Sequence, residues 1–81
     1  MENQDVVVYI SKDNDHCEKV IQLIEEAEVS YKVKNVSDNR EYMKELQKDG
    51  IYGTPATFIK GMDRTILGYQ KREILNAIRN L

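Results

Sequence analysis

The chain has 81 residues, of which 41% are hydrophobic and 32% charged, a composition typical of one small globular domain rather than a disordered segment. Its formal net charge of -2 provides no broad basic field, so nucleic acid and anionic membranes are not expected partners. The single cysteine cannot form an internal disulfide, and the single histidine cannot build a metal cluster.

Neither a membrane-spanning helix nor a signal peptide is indicated. No apolar run approaches the ~20 residues that cross a bilayer, and Met1–Asp5 does not resemble a signal peptide. We therefore expect a soluble, monomeric, cytoplasmic protein with one domain over residues 1–81.

The first part of the chain predicts a strand, a helix and a second strand. Val6–Ile10 is a continuous apolar run, as in a strand buried on both faces. Asn14 and Asp15 are equally plausible caps of a helix that runs to about Ala27. Val29–Val36 alternates in the manner of a strand. The predicted apolar side of the helix comprises Cys17, Val20, Ile21, Ile24 and Ala27.

A second helix is predicted to run to about Lys48. Caps for its start are available in Ser37–Asn39, and Gly50 is suited to a left-handed helix stop. Its apolar stripe is formed by Tyr42, Met43 and Leu46.

The last third predicts a hairpin and a closing helix. A third strand should follow Pro55, since proline is found at the start or edge of a strand. Lys60–Asp63 is a turn that leads into a fourth strand, Thr65–Leu67. The final helix is predicted over Gln70–Leu81, where it should bury Ile74, Leu75, Ile78 and Leu81.

The resulting order, β-α-β-α-β-β-α, predicts an α/β fold with a four-stranded mixed sheet flanked by three helices. The first two strands should be parallel and the last two antiparallel. A ligand crevice is expected beyond the carboxyl ends of the parallel strands. The loop before Cys17 would emerge at this crevice.

This pattern resembles the glutaredoxin branch of the thioredoxin-like proteins over nearly the whole chain. The stretches that carry the resemblance are Val6–Tyr9, Cys17–Val20, Tyr52–Ile59 and Leu67–Tyr69. The resemblance implies a thioredoxin-like fold, a cis bond between Thr54 and Pro55 that faces an active-site cysteine, and thiol-disulfide oxidoreductase activity in redox homeostasis and electron transport.

Cys17 is the residue whose type suggests covalent chemistry, and we assign it the catalytic role. The amides of a helix N-terminus stabilise a thiolate. The neighbouring charges roughly cancel, because Lys12, His16 and Lys19 favour the thiolate whereas Asp13, Asp15 and Glu18 oppose it. The alternative is an inert thiol in the core, where free cysteines are often found.

The chain departs from the dithiol members of the family at one position. Where those relatives carry Cys-x-x-Cys, this sequence has Asn14-Asp15-His16-Cys17. By resemblance, Asn14 stands in the place of the nucleophile and Cys17 in the place of the resolving cysteine.

By the same resemblance, a partner backbone would pair with Thr54 beside Pro55, in the manner of an added strand. Tyr52 and Lys12 complete the predicted binding site. A mixed disulfide on Cys17, formed with a disulfide-bearing protein or small thiol, would need an external thiol as reductant. Glutathione or another thiol would serve, and no bound cofactor is expected. However, Leu67–Lys71 lacks the acceptor pair of glutathione-using relatives.

Three functions follow from these residues. The first is a thiol-disulfide oxidoreductase that works through Cys17 alone. The second is a redox-inactive thioredoxin-fold module that binds a peptide or protein partner. The third, an iron-sulfur carrier, requires an exposed cysteine together with a glutathione site. The exposure of Cys17 distinguishes the first function from the second.

Overall fold

The computed structural model describes residues 5–81, in which strands and helices follow the predicted order β-α-β-α-β-β-α. The elements are β1 (Val6–Ile10), α1 (Asp15–Glu26), β2 (Tyr31–Asn35), α2 (Arg40–Lys48), β3 (Ala56–Ile59), β4 (Ile66–Leu67) and α3 (Lys71–Arg79).

The sheet has the strand order β2-β1-β3-β4 and is centred on β1. Val8 of β1 lies opposite Val33 of parallel β2 and opposite Thr57 of antiparallel β3. β3 and β4 form an antiparallel hairpin in which Thr57 pairs with Ile66. The predicted parallel pair and the predicted hairpin are both confirmed.

The apolar run in β1 is explained by the two hydrophobic clusters that it joins. Val6 and Val8 pack in one cluster with residues of α1 and α3, and Tyr9 packs in the other with Leu46 of α2. Helices therefore cover both faces of the sheet. Each fully buried aliphatic side chain in these clusters stabilises the fold by roughly 1.5–3 kcal/mol.

Side-chain caps define where the first two helices begin. The Asn14 Oδ1 accepts hydrogen bonds from the backbone N–H groups of His16 at 3.0 Å and Cys17 at 3.3 Å, so Asn14 caps α1. The Asn39 Oδ1 accepts from Glu41 N–H at 2.9 Å and caps α2. Gly50 has a φ of 76°, which confirms the predicted left-handed stop after α2.

Several predicted boundaries and core positions were wrong. β2 and β4 are shorter than predicted, and α3 ends at Arg79, so Leu81 lies beyond the helix and is 46% exposed. In α1, Leu23 is buried and Ile21 only half-buried. Leu23 shares a cluster with Ile74 and Ala77 of α3, and the periodicity of α1 alone does not reveal this contact between helices.

A polar cluster fastens α2 to the sheet. The Tyr9 Oη donates to Glu45 Oε1 at 2.7 Å, and the Lys34 Nζ donates to the same oxygen at 3.0 Å. The Lys34 Nζ also lies 5.3 Å and 5.4 Å from the ring centroids of Tyr9 and Tyr42. The hydrogen bonds from Tyr9 and Lys34 hold the pKa of the Glu45 carboxyl below its ordinary value.

We predict that Glu45→Gln removes a stabilisation that depends on pH. Because the pKa of Glu45 is lowered in the folded chain, its carboxylate stabilises the fold above the ordinary value of 4.5, and this is lost as the pH falls through the lowered value. At neutral pH the variant should be less stable by roughly 0.2–1 kcal/mol, because solvent screens this half-exposed group.

Urea denaturation from neutral to acidic pH measures this difference. Glu41→Gln is the matched control, since the Glu41–Lys44 pair on α2 is exposed and does not touch the sheet. A difference between wild type and Glu45→Gln that persists unchanged in acid would contradict the role given to the Glu45 charge.

Candidate functional site

Three chain segments meet at the carboxyl end of β1. The Asn14 Nδ2 donates to the backbone oxygen of Thr54 at 3.5 Å, and the hydroxyls of Ser11 and Thr54 are hydrogen-bonded at 2.7 Å. On the other side, the N–H of Gly68 donates to the carbonyl of Pro55 at 2.8 Å. The start of α1, the residues before β3 and the turn after β4 therefore form one site.

The segment before β3 presents only part of itself to solvent. The Thr54–Pro55 peptide bond is cis. Pro55 is fully buried, Thr54 is half-buried, and Tyr52 is 74% exposed. The accessible groups of this segment are therefore the Tyr52 side chain, Gly53 and part of Thr54, while Pro55 lies beneath them.

Cys17 lies in the first turn of α1 and faces the core. It is 2% exposed, whereas the preceding residues Asp15 and His16 are exposed. Its backbone N–H donates to both the carbonyl and the side-chain oxygen of Asn14. The thiol is thus on the same side of the helix as Val20, and the histidine next to it points elsewhere.

Asn14 is the residue that connects these parts. Its side-chain oxygen accepts hydrogen bonds at the start of α1, and its side-chain nitrogen reaches Thr54. The sequence identified Asn14 as a cap but gave no indication of the contact with Thr54. The bond between Ser11 and Thr54 was also missed, because residues 43 positions apart meet only through the pairing of β1 with β3.

Lys12 and the turn after β4 lie at the border of the site. The Lys12 side chain is exposed, and its backbone N–H donates to Ser37 Oγ at 2.9 Å.

In the turn after β4, the Gln70 Nε2 donates to Leu67 O at 2.6 Å, and the Lys19 Nζ lies 5.8 Å from the ring centroid of Tyr69. The binding roles of Lys12 and Tyr52 remain predictions.

Within residues 5–81, no three side chains of His, Cys, Asp or Glu are grouped as metal ligands would be. No helix there combines the length and apolar character needed to span a membrane.

The chain is similar to proteins of known structure and to one protein family. The thioredoxin-like protein BC3987 is 23% identical with a TM-score of 0.81, over 89% of this chain and 97% of that one. Glutaredoxin 1 from Archaeoglobus fulgidus is 22% identical with a TM-score of 0.79, over 98% and 97% of the two chains. The glutaredoxin-like protein NrdH-redoxin from Escherichia coli is 18% identical with a TM-score of 0.76, over 88% and 91%.

At these identities the structures establish the thioredoxin-like fold. No curated protein sequence matches the chain. The family model described as glutaredoxin matches residues 6–63, which is well over half of the chain and includes Asn14, Cys17 and Thr54. The chain therefore belongs to the glutaredoxin family of thioredoxin-fold redox proteins.

Proposed function

We propose that this protein is a glutaredoxin-fold binding module that holds an extended segment of a protein partner against Thr54, without a redox step of its own. The observation that supports this proposal is the burial of Cys17, which is 2% exposed. Disulfide exchange requires a thiolate to reach a sulfur atom of its substrate. In this conformation the thiol is directed into the core, and the half-buried side chain of Asn14 lies between the start of α1 and Thr54 instead.

The binding surface would be the groove between Asn14 and the Tyr52–Pro55 segment. An added strand pairs through main-chain hydrogen bonds, while adjacent side chains select its residues. The Asn14–Thr54 hydrogen bond, at 3.5 Å, is long and weak, so a partner N–H can displace it from the Thr54 carbonyl. Tyr52 would supply an exposed aromatic contact, and Lys12 would attract a carboxylate of the partner.

A second candidate is disulfide exchange through Cys17, which its position in the first turn of α1 favours. The Cys17 thiolate would attack a partner disulfide, giving a mixed disulfide and releasing one partner thiolate. A second thiol, glutathione or another, would then attack the partner sulfur of the mixed disulfide, forming a disulfide with the partner and releasing Cys17 as a thiolate. This route requires the buried thiol of Cys17 to become exposed.

The rate of Cys17 alkylation distinguishes the two candidates. For a binding module we expect native protein to react with iodoacetamide only as fast as it opens or unfolds, since the thiol is buried. Mass spectrometry across a pH series would measure the rate, with the chain unfolded in urea as reference. Rapid labelling of the native protein, with a midpoint well below the free-thiol value of ~8.5, would instead support exchange through Cys17.

Removal of the exposed ring of Tyr52 tests the groove. Peptides selected from a random phage-displayed library on the wild-type protein should bind Tyr52→Ser about tenfold more weakly, as expected for an aromatic interface residue. Leu81→Ser is the matched control, because Leu81 is also an exposed apolar residue but follows α3. Fluorescence anisotropy gives both affinities. Equal losses in the two variants, or no selected peptide at all, would contradict the proposed groove.

A third prediction concerns the substitution Asn14→Cys. The N-cap and the residue three positions later lie one helical turn apart on the same side of α1, so the introduced thiol should form a disulfide with Cys17 under mild oxidation. Thiol titration should show both thiols lost and then restored by dithiothreitol. The wild-type chain, oxidised in parallel, is the control. If both thiols stay free, the two positions are too far apart to form a disulfide, and the site differs from that of the dithiol relatives in geometry as well as in residue type.

A further inference from the structure

Tyr52 and Gly53, which precede Thr54, make few contacts that would fix their position. Tyr52 is 74% exposed, and Gly53 is also exposed, with nothing within 4 Å of the position that a Cβ would take. At the far end, Thr54 is bound to Ser11 and Asn14. The position of Tyr52 and Gly53 therefore depends on the contacts of Ile51, the residue that precedes them.

Ile51 is held by the end of α2. Its backbone N–H donates to the carbonyl of Leu46 at 3.0 Å, and its side chain is buried in the cluster that contains Tyr9, Leu46 and Ala56. The N–H of Asp49 donates to the same Leu46 carbonyl at 3.0 Å. Any shift of the last turn of α2 would therefore move Ile51 and the residues that follow it.

The apolar contacts of α2 with the sheet are few. Leu46 is the one fully buried residue of the helix, and Tyr42 and Met43 are half-buried. Glu45, which precedes Leu46, accepts hydrogen bonds from Tyr9 at 2.7 Å and Lys34 at 3.0 Å. This cluster thus binds α2 to both β1 and β2 at the residue that precedes Leu46, whose carbonyl holds Ile51.

We infer that Lys34, through Tyr9 and Glu45, acts as a positioning residue for the recognition segment Ile51–Thr54. Lys34 is 19% exposed at its side chain, so its ammonium group is held by Glu45 and by the rings of Tyr9 and Tyr42 rather than by bulk water. Removal of this charge would leave Glu45 bound by Tyr9 alone and would loosen the last turn of α2. The inference that a looser α2 weakens recognition of a partner rests on the proposed binding function.

Amide hydrogen exchange followed by NMR tests the anchoring directly. Lys34→Met keeps most of the length of the side chain but loses its charge, and it should accelerate exchange of the Ile51 amide about fivefold, the upper part of the range for a partly exposed ion pair. The Gly68 amide, which is bonded to Pro55, should change much less. Lys34→Arg should restore slow exchange at Ile51, and Glu41→Gln should leave it unchanged.

Equal acceleration at Ile51 and Gly68 in Lys34→Met would indicate a general loss of stability and would overturn the inference. An unchanged exchange rate of the Ile51 amide would also overturn the inference. The second readout is the affinity of phage-selected peptides, which should fall in Lys34→Met and recover in Lys34→Arg. Equal affinity for wild type and Lys34→Met would overturn the positioning role. If no peptide binds the wild type, the proposed function fails, while the exchange ratio still decides the anchoring.

Discussion

The functional site depends on the two hydrogen-bonding groups of one side chain, the amide of Asn14. Its oxygen caps α1, an interaction usually worth about 1 kcal/mol, and its nitrogen reaches the carbonyl of Thr54. A cysteine at this position, as in the dithiol relatives that the chain resembles, would attack sulfur; an amide cannot. The same residue therefore withholds a nucleophile from the surface and joins the helix start to the segment that precedes β3.

The elements of the fold were predictable because each has a local cause. A central strand is apolar on both faces, and Val6–Ile10 is a continuous apolar run. The starts of α1 and α2 need side-chain acceptors, and Asn14 and Asn39 supply them. Contacts between distant elements had no such signal. The burial of Leu23 against α3 and the binding of Lys34 to Glu45 depend on how helices sit over the sheet, which the pattern of one sequence does not specify.

The environment of Cys17 shows where reasoning from sequence reaches its limit. The spacing of Cys17 with Val20 and Ile24 indicated an inward-facing thiol, whereas the resemblance to a redox family suggested a reactive one. The structure places the thiol 2% exposed, in agreement with the helical spacing. Family membership then describes the fold more directly than it describes any chemistry at this residue.

Thr54 is the point at which supports from the two faces of the sheet converge. On the α1 side, Thr54 is bound by Ser11 and Asn14. On the α2 side, the segment that leads to Thr54 is held at Ile51, whose N–H is bonded to the last turn of α2. An added strand binds more tightly when the segment it pairs with is already ordered, since ordering a loose segment costs free energy. Two independent supports that meet at one residue reduce that cost. If a partner strand binds at Thr54, as proposed, these supports hold the segment in place without any contribution from a nucleophilic cysteine.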